Sequence, residues 1–272
     1  MRLASPNLVL GSVLTGIIVV LAIFGMVWTP YDPIAMNFAA RFSPPSWSHW
    51  LGTDEFGRDQ LSRLMRGAAA SVRISVFTVV LAISAGTAIG IVSGFLRGWP
   101  DRIIMALNDV LLAFPGLLFA LGLLAVLGAN ENGIILALGL VYMSSVVRVV
   151  RGTVLSLRER EFVEASRVMG NSVLYTMRRH ILPNCIAPLI VLATSMCGWS
   201  LLAESSLSFL GLGVAPPAPT WGNMLAGSRS YLNQAAWLVV FPGLAISIAL
   251  LGINLLGDAL RDRLDPRMRK RI

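Results

Sequence analysis

Lysine is almost missing from this sequence: of 22 basic residues, only Lys270, close to the C-terminus, is not arginine. A phosphate-cradling P-loop ends in Gly-Lys-Ser/Thr, so no ATP site of that kind is encoded. Histidine and cysteine are scarce too, with His49, His180, Cys185 and Cys197 as the whole supply. None of them clusters with the spacing of a metal site, and no Gly-x-Ser-x-Gly nucleophile motif occurs. No catalytic residue, metal or cofactor is therefore expected. Cys185 and Cys197 are twelve positions apart in one apolar stretch. On a helix that is roughly 18 Å of rise, too far for a disulfide, so both read as reduced packing residues. His49 reads as a solvated loop residue and His180 as a helix-end or partner-contact residue. Charge of either sign is sparse, at 13% of residues against about one quarter in a soluble domain.

Apolar residues fill the space. They make up 56% of the chain, and the mean hydropathy is +0.73. A soluble core of this length cannot hide that much apolar surface, so the surplus faces lipid. Six stretches are long enough to cross about 30 Å of hydrocarbon: Leu8–Trp28, Val72–Leu96, Ile103–Leu127, Gly133–Val150, Cys185–Ala203 and Ala235–Gly257. Their continuous apolar character excludes the alternation of a barrel strand. The fold class is all-α integral membrane. The first stretch is followed by Thr29-Pro30-Tyr31-Asp32-Pro33 rather than a small-residue cleavage site, so it reads as a retained span.

The net charge of +8 does not point to nucleic acid, because the arginines interleave with spans too apolar for a groove reader. It sets topology instead. With six spans, sixteen basic residues fall on one side and five on the other, Arg73 lying at the mouth of a span. The positive-inside rule then places both termini in the cytoplasm. Residues 1–71 form a first span with an extracytoplasmic segment, in which Asp59–Met65 is a candidate short interfacial helix. Residues 72–258 form the core, with five spans and a cytoplasmic loop at 151–184. Residues 259–272 are a basic cytoplasmic tail.

The cytoplasmic loop carries the most information. Arg158–Met169 reads as a helix with Phe162, Ala165 and Met169 at helical spacing. Gly170 stops it, since a glycine past a helix end takes a left-handed conformation. Asn171 and Ser172 are caps for a second helix, which places Val173, Met177 and Ile181 on one face and ends at Pro183. Two short amphipathic helices set at an angle suit docking into a groove on a soluble partner.

Glu164-Ala165-Ser166, Gly170 and Ile181-Leu182-Pro183 resemble the "EAA" loop of prokaryotic ABC-importer permeases. Leu51-Gly52-Thr53-Asp54 with Gly57-Arg58-Asp59, and His180-Ile181-Leu182-Pro183-Asn184, resemble segments of the dipeptide/oligopeptide/nickel permeases, of the C type. So do Leu207-Ser208-Phe209-Leu210-Gly211-Leu212-Gly213 with Trp221-Gly222, and Gly257-Asp258 through Asp265-Pro266. The matches run over nearly the whole chain. The resemblance implies a type I importer bundle that is not itself an enzyme and forms half of a pathway for peptides or a related small solute, a nickel chelate included. It implies a second permease as heterodimer partner, two ATPase subunits and an extracytoplasmic solute-binding protein. ATPase coupling would then rest on Glu164, Ala165, Ser166, Gly170, His180, Leu182 and Pro183. Two departures bear on function. Ser166 replaces an alanine and is expected to pack closely against a partner. Gly67-Ala68-Ala69-Ala70-Ser71 lacks an arginine that similar proteins often carry, with Arg73 as the candidate substitute.

Ionisable groups at membrane depth are functional candidates. Asp109 lies inside the third span, where a structural bond to a neighbouring helix competes with a pathway role. Glu204, beside Ser205 and Ser206 at the outer end of the fifth span, is a candidate gate. The rival to an ATP-driven importer is a secondary transporter driven by an ion gradient. That reading wants repeated halves with broken helices and midplane carboxylates; no repeat is visible, and only Asp109 approaches the midplane.

Overall fold

The computed structural model describes residues 6–264, so Arg2 and the basic tail beyond Leu264 lie outside the described residues. The described chain is helical: α1 (Pro6–Val27), α2 (Gln60–Leu96), α3 (Gly98–Ala113), α4 (Gly116–Leu127), α5 (Glu131–Leu157), α6 (Glu161–Val168), α7 (Val173–Thr176), α8 (Leu182–Phe209), α9 (Trp221–Ser228) and α10 (Trp237–Leu264). Five helical stretches are long and apolar enough to cross a membrane, and the bent pair α3–α4 brings the number to six if the two together form one span. On the lipid side of α1, Val13, Ile17, Val20 and Phe24 repeat at helical spacing and stand about half exposed.

Three spans depart from the sequence expectation. First, Asp59–Met65 is no separate interfacial helix. Asp59 caps α2, its carboxylate accepting the Ser62 N–H at 2.8 Å, and 37 residues then run unbroken. No proline interrupts them, and Gly67 is held inside the helix by close packing under Trp221. Second, the third span is not one straight helix. It bends by 94° between α3 and α4. The break sits at Phe114, whose extended backbone (ψ 138°) is what a following proline, Pro115, imposes. Third, Pro183 does not end the second loop helix. A π-turn over Met177–Ile181, in which the Leu182 N–H reaches the Met177 carbonyl, carries the chain into α8 with Pro183 in its first turn. A proline is tolerated there because its missing N–H has little to bond.

The bundle is built on the packing of α2 against α5. Gly86, Gly90 and Gly94 recur every four residues on α2 and meet Val146, Val150 and Val154, at the same spacing on α5. A Cβ added at these glycines would stand 2.6, 2.8 and 2.9 Å from the facing valine Cβ atoms, closer than side chains pack. In lipid no hydrophobic force drives helix pairing, so small residues that bring backbones together supply the contact. α1 crosses α10 by the same device, Gly11 lying on Leu256 and Gly252 on Leu14.

The segment between α1 and α2 is a folded cap. Asp54 accepts the Phe56 and Arg58 N–H groups, both at 2.9 Å, and the Arg58 Nε at 2.7 Å. Gly52 and Gly57 take left-handed backbone (φ 76° and 73°). His49 is not a solvated loop residue: its Nδ1 lies 2.9 Å from Asp59 and its ring 4.8 Å from that of Tyr31. The Trp237 indole donates to the Thr53 carbonyl at 3.2 Å, fastening the cap to α10.

The glycine packing is tested by Gly90→Leu against Gly16→Leu, a site with nothing within 4 Å. Overpacking costs about 1–3 kcal/mol, so Gly90→Leu should lower the thermal unfolding midpoint in detergent while Gly16→Leu leaves it in place. Equal effects would contradict the packing.

Candidate functional site

The chain between α5 and α8 folds as a helix–turn–helix on the end of the bundle. Glu161 and Glu164 occupy the first turn of α6 and Arg167 its last, each charge matched to the helix dipole. The turn is a Schellman motif: Gly170 N–H donates to the Arg167 carbonyl at 2.9 Å and Asn171 N–H to the Ser166 carbonyl at 3.2 Å. Gly170 supplies the left-handed residue (φ 77°), as expected from the sequence. Ser172 then caps α7, accepting the Tyr175 N–H.

The apolar positions read from the sequence lie on the outer face of α6. Phe162, Ala165 and Met169 point to solvent, and the buried face of α6 is Val163 and Ser166. Ser166 is fully buried, so it does not pack against a partner. Its hydroxyl lies 3.0 Å from that of Thr176 and accepts the Asn171 side-chain N–H at 3.2 Å, tying the two loop helices together. His180 is half-buried, its ring 6.2 Å from Phe162 and 6.0 Å from Tyr175. Glu164, Ala165, Gly170, Leu182 and Pro183 are exposed. The outer surface of the turn carries Val168 (82% exposed), Met169 (72%), Val173 and Leu174, flanked by exposed Arg160, Arg167, Arg178 and Arg179. Inward, Val163 and Ile181 join one apolar cluster with Phe95, Val150 and Val154. Arg167 lies over the Phe95 ring at 5.2 Å.

The remaining candidates do not converge. Asp109 on α3 pairs with Arg148 on α5 at 2.8 Å, both side chains more than half exposed. Asp109 itself makes the inter-helix bond, while the buried side-chain nitrogen of its neighbour Asn108 has no partner among the described residues. Towards the loop, Asp101 takes a two-point ion pair from Arg151 at 2.6 and 2.7 Å. Glu204 is fully buried on α8. It accepts the Ser71 hydroxyl at 3.2 Å and that of Ser208 at 2.9 Å, while Ser71 also accepts the Trp221 N–H. Glu204 thus joins α2, α8 and α9 and opens onto no passage in this conformation. Ser205 and Ser206 spend their hydroxyls on the carbonyls of Leu201 and Leu202 within α8.

The profile of the family described as binding-protein-dependent transport system inner membrane component matches residues 86–270. A dipeptide transport system permease protein of Alkalihalophilus pseudofirmus is 39% identical over 261 residues, covering 96% of this chain and 86% of that one. The chain belongs to this family. The permease is also 42% identical to a di/tripeptide transport system permease of Pseudomonas aeruginosa (93% of this chain, 86% of that one). A glutathione transport system permease of Escherichia coli is 41% identical (93% and 84%). In three dimensions it matches the MetNI methionine ABC transporter in an inward-facing conformation, with a TM-score of 0.60 at 17% identity, over 75% of this chain and 96% of that one. That likeness shows the fold alone. The protein is thus a multi-pass inner-membrane permease subunit of an ATP-driven importer.

Several residues that organise the permease were not singled out from sequence. Thr176, Ser71, Arg148 and the Asp101–Arg151 pair become visible only once helices far apart in sequence are side by side. The four-residue spacing of Gly86, Gly90 and Gly94 on α2 is the signal in the sequence that marks the close helix contact. For the loop, Gly170→Val forces a β-branched residue into left-handed backbone at a cost of about 1–2 kcal/mol, whereas Ser166→Ala removes one hydrogen bond of about 1 kcal/mol. In the reconstituted importer, Gly170→Val should suppress ATP-driven uptake far more than Ser166→Ala, with both variants inserted at wild-type levels. Wild-type uptake in Gly170→Val would show that the turn geometry is not needed.

Proposed function

We propose that this subunit forms one half of the pathway of a peptide-type importer, paired with a second, similar permease. ATP hydrolysis occurs on two separate ATPase subunits, and an extracytoplasmic binding protein delivers the solute: a peptide, a small peptide-like compound or a nickel chelate. The observation that carries the reading is the loop between α5 and α8. It presents exposed Val168, Met169, Val173 and Leu174 at one tip, ties its two helices together through Ser166 and Thr176, and packs on the bundle through Val163 and Ile181. A rigid apolar knob rimmed by arginines suits a groove on a soluble partner. Closure of an ATPase pair would carry it as a rigid body, with Glu164, Ala165, Gly170, His180, Leu182 and Pro183 at or beside the contact and Ser166 beneath it.

The peptide assignment follows the names of the dipeptide and di/tripeptide relatives. The Asp109–Arg148 pair supports a paired assembly. Two charged side chains this exposed at membrane depth are costly against lipid, so the α3–α5 face belongs against the second permease or along the wet pathway. The pairing also weakens the ion-gradient rival, since Asp109 is already neutralised. Glu204, Ser205 and Ser206 border the outer end of that pathway as structural members behind it.

Both termini are assigned to the cytoplasm, on the side of the loop. Reporter fusions after Trp28 and near Ala218 should read as external and those after Ala259 as cytoplasmic; a cytoplasmic reading at Ala218 removes the six-crossing topology. In proteoliposomes holding the complete importer, uptake of a di- or tripeptide should require ATP and be indifferent to ion gradients. Gradient-driven uptake without the ATPases would establish the rival instead.

A further inference from the structure

At the end of the bundle opposite the loop, a cavity of about 480 Å³ opens between α1, α2 and the start of α5. Its volume lies in the range of small-molecule sites, roughly 300–1,000 Å³. Its charged groups are Arg66 and Arg73 on α2, Glu131 on α5 and Asp32 in the segment after α1. Two positive and two negative groups leave it neutral overall, set in a lining that is otherwise mostly apolar. Arg66 and Arg73 are seven residues apart, on one face of α2. Between them Ala69 and Ala70 line the wall with methyl groups alone.

The four charged groups are engaged to different degrees. Arg73 forms a two-point ion pair with Glu131, one arm at 2.6 Å, with its side chain 46% exposed. An ion pair this open to water is weak and exchanges partners readily. Arg66 donates to the carbonyls of Gly25 and Met26, at 3.2 and 3.1 Å, at the end of α1. Asp32 uses one oxygen in a turn with the Ile34 N–H and has no ion-pair partner among the described residues.

We propose that this cavity is a weak way-station for zwitterionic solutes, the carboxylate taken by Arg73 in exchange for Glu131 and the ammonium by Asp32. The proposal rests on the peptide-import reading for its solute. Arg73, one helical turn from Ala69, thus supplies a guanidinium to the cavity that Ala69 also lines. The affinity is low by construction, because solute must displace an existing ion pair and a passage must release what it admits.

The test is alkylation of Ala218→Cys, a residue on the exposed rim of the cavity, in the complete importer reconstituted in vesicles. Tri-alanine, its N-acetyl C-amide and ATP-driven tri-alanine uptake are measured side by side. At roughly 10 mM, a concentration that loads a millimolar site, tri-alanine should slow alkylation several-fold while the doubly capped peptide does not. Protection should be lost in Arg73→Gln and in Asp32→Asn; Asp32 is exposed and bonds only within its own turn, so the second variant stands even if the first does not fold. No protection in the wild type, equal protection by the capped peptide, or full protection in Asp32→Asn overturns the proposal. Uptake separates the two readings. Uptake without protection removes the way-station alone, and protection without ATP-driven uptake of peptide leaves a zwitterion site while the peptide-import reading falls.

Discussion

The close approach of α2 and α5 is the constraint on which the rest depends. In water, burial of apolar surface would hold two such helices together almost regardless of detail. In lipid the apolar faces gain nothing by meeting, and contact must come from shape. Gly86, Gly90 and Gly94 allow it by removing side chains where Val146, Val150 and Val154 press in. The chain then needs few polar groups inside the bundle: Glu204 is held by hydrogen bonds from Ser71 and Ser208, while the buried hydroxyls of Thr78, Ser144 and Ser200 have no partner among the described residues.

The same contact gives the loop something rigid to act on. Val154, opposite Gly94, belongs to the cluster that takes up Val163 of α6 and Ile181 of the π-turn. Arg158 donates to the Phe95 carbonyl at 3.1 Å, and Arg167 covers the Phe95 ring. A push on the outer surface of α6 would therefore reach the ends of α2 and α5 together. By contrast, α3 lies largely exposed and is fastened to α5 by the ion pairs at Asp101 and Asp109. The body of the permease is a packed unit, and α3 is attached to it electrostatically.

Much of this was legible in the sequence, and the reasons are physical. Spans declare themselves because the apolar length needed to cross a bilayer is long, and Gly170 because its conformation excludes other residues. The boundaries were less legible. Asp59–Met65 and Val72–Leu96 look separate because Arg63 and Arg66 interrupt the apolar run, yet the backbone does not register a change of solvent. Pro183 looked like a stop because a π-turn is invisible to periodicity. A proline at position 115 inside an apolar run signals a kink, but the size of the bend depends on packing. The burial of Ser166 was not legible, because it depends on Asn171 and Thr176, five and ten residues on. Partners such as Arg148 for Asp109 are set by helix register, which one sequence does not display.

Spin-label distances in the assembled importer, with and without ATP, test the central claim most directly. One label pair spans α2 and α5 at their lipid-facing positions, and the other joins α5 to the neighbouring permease. The account predicts an unchanged α2–α5 distance and a changed distance between permeases as the ATPases close. A change within α2–α5 on ATP binding, with the inter-permease distance constant, would contradict it.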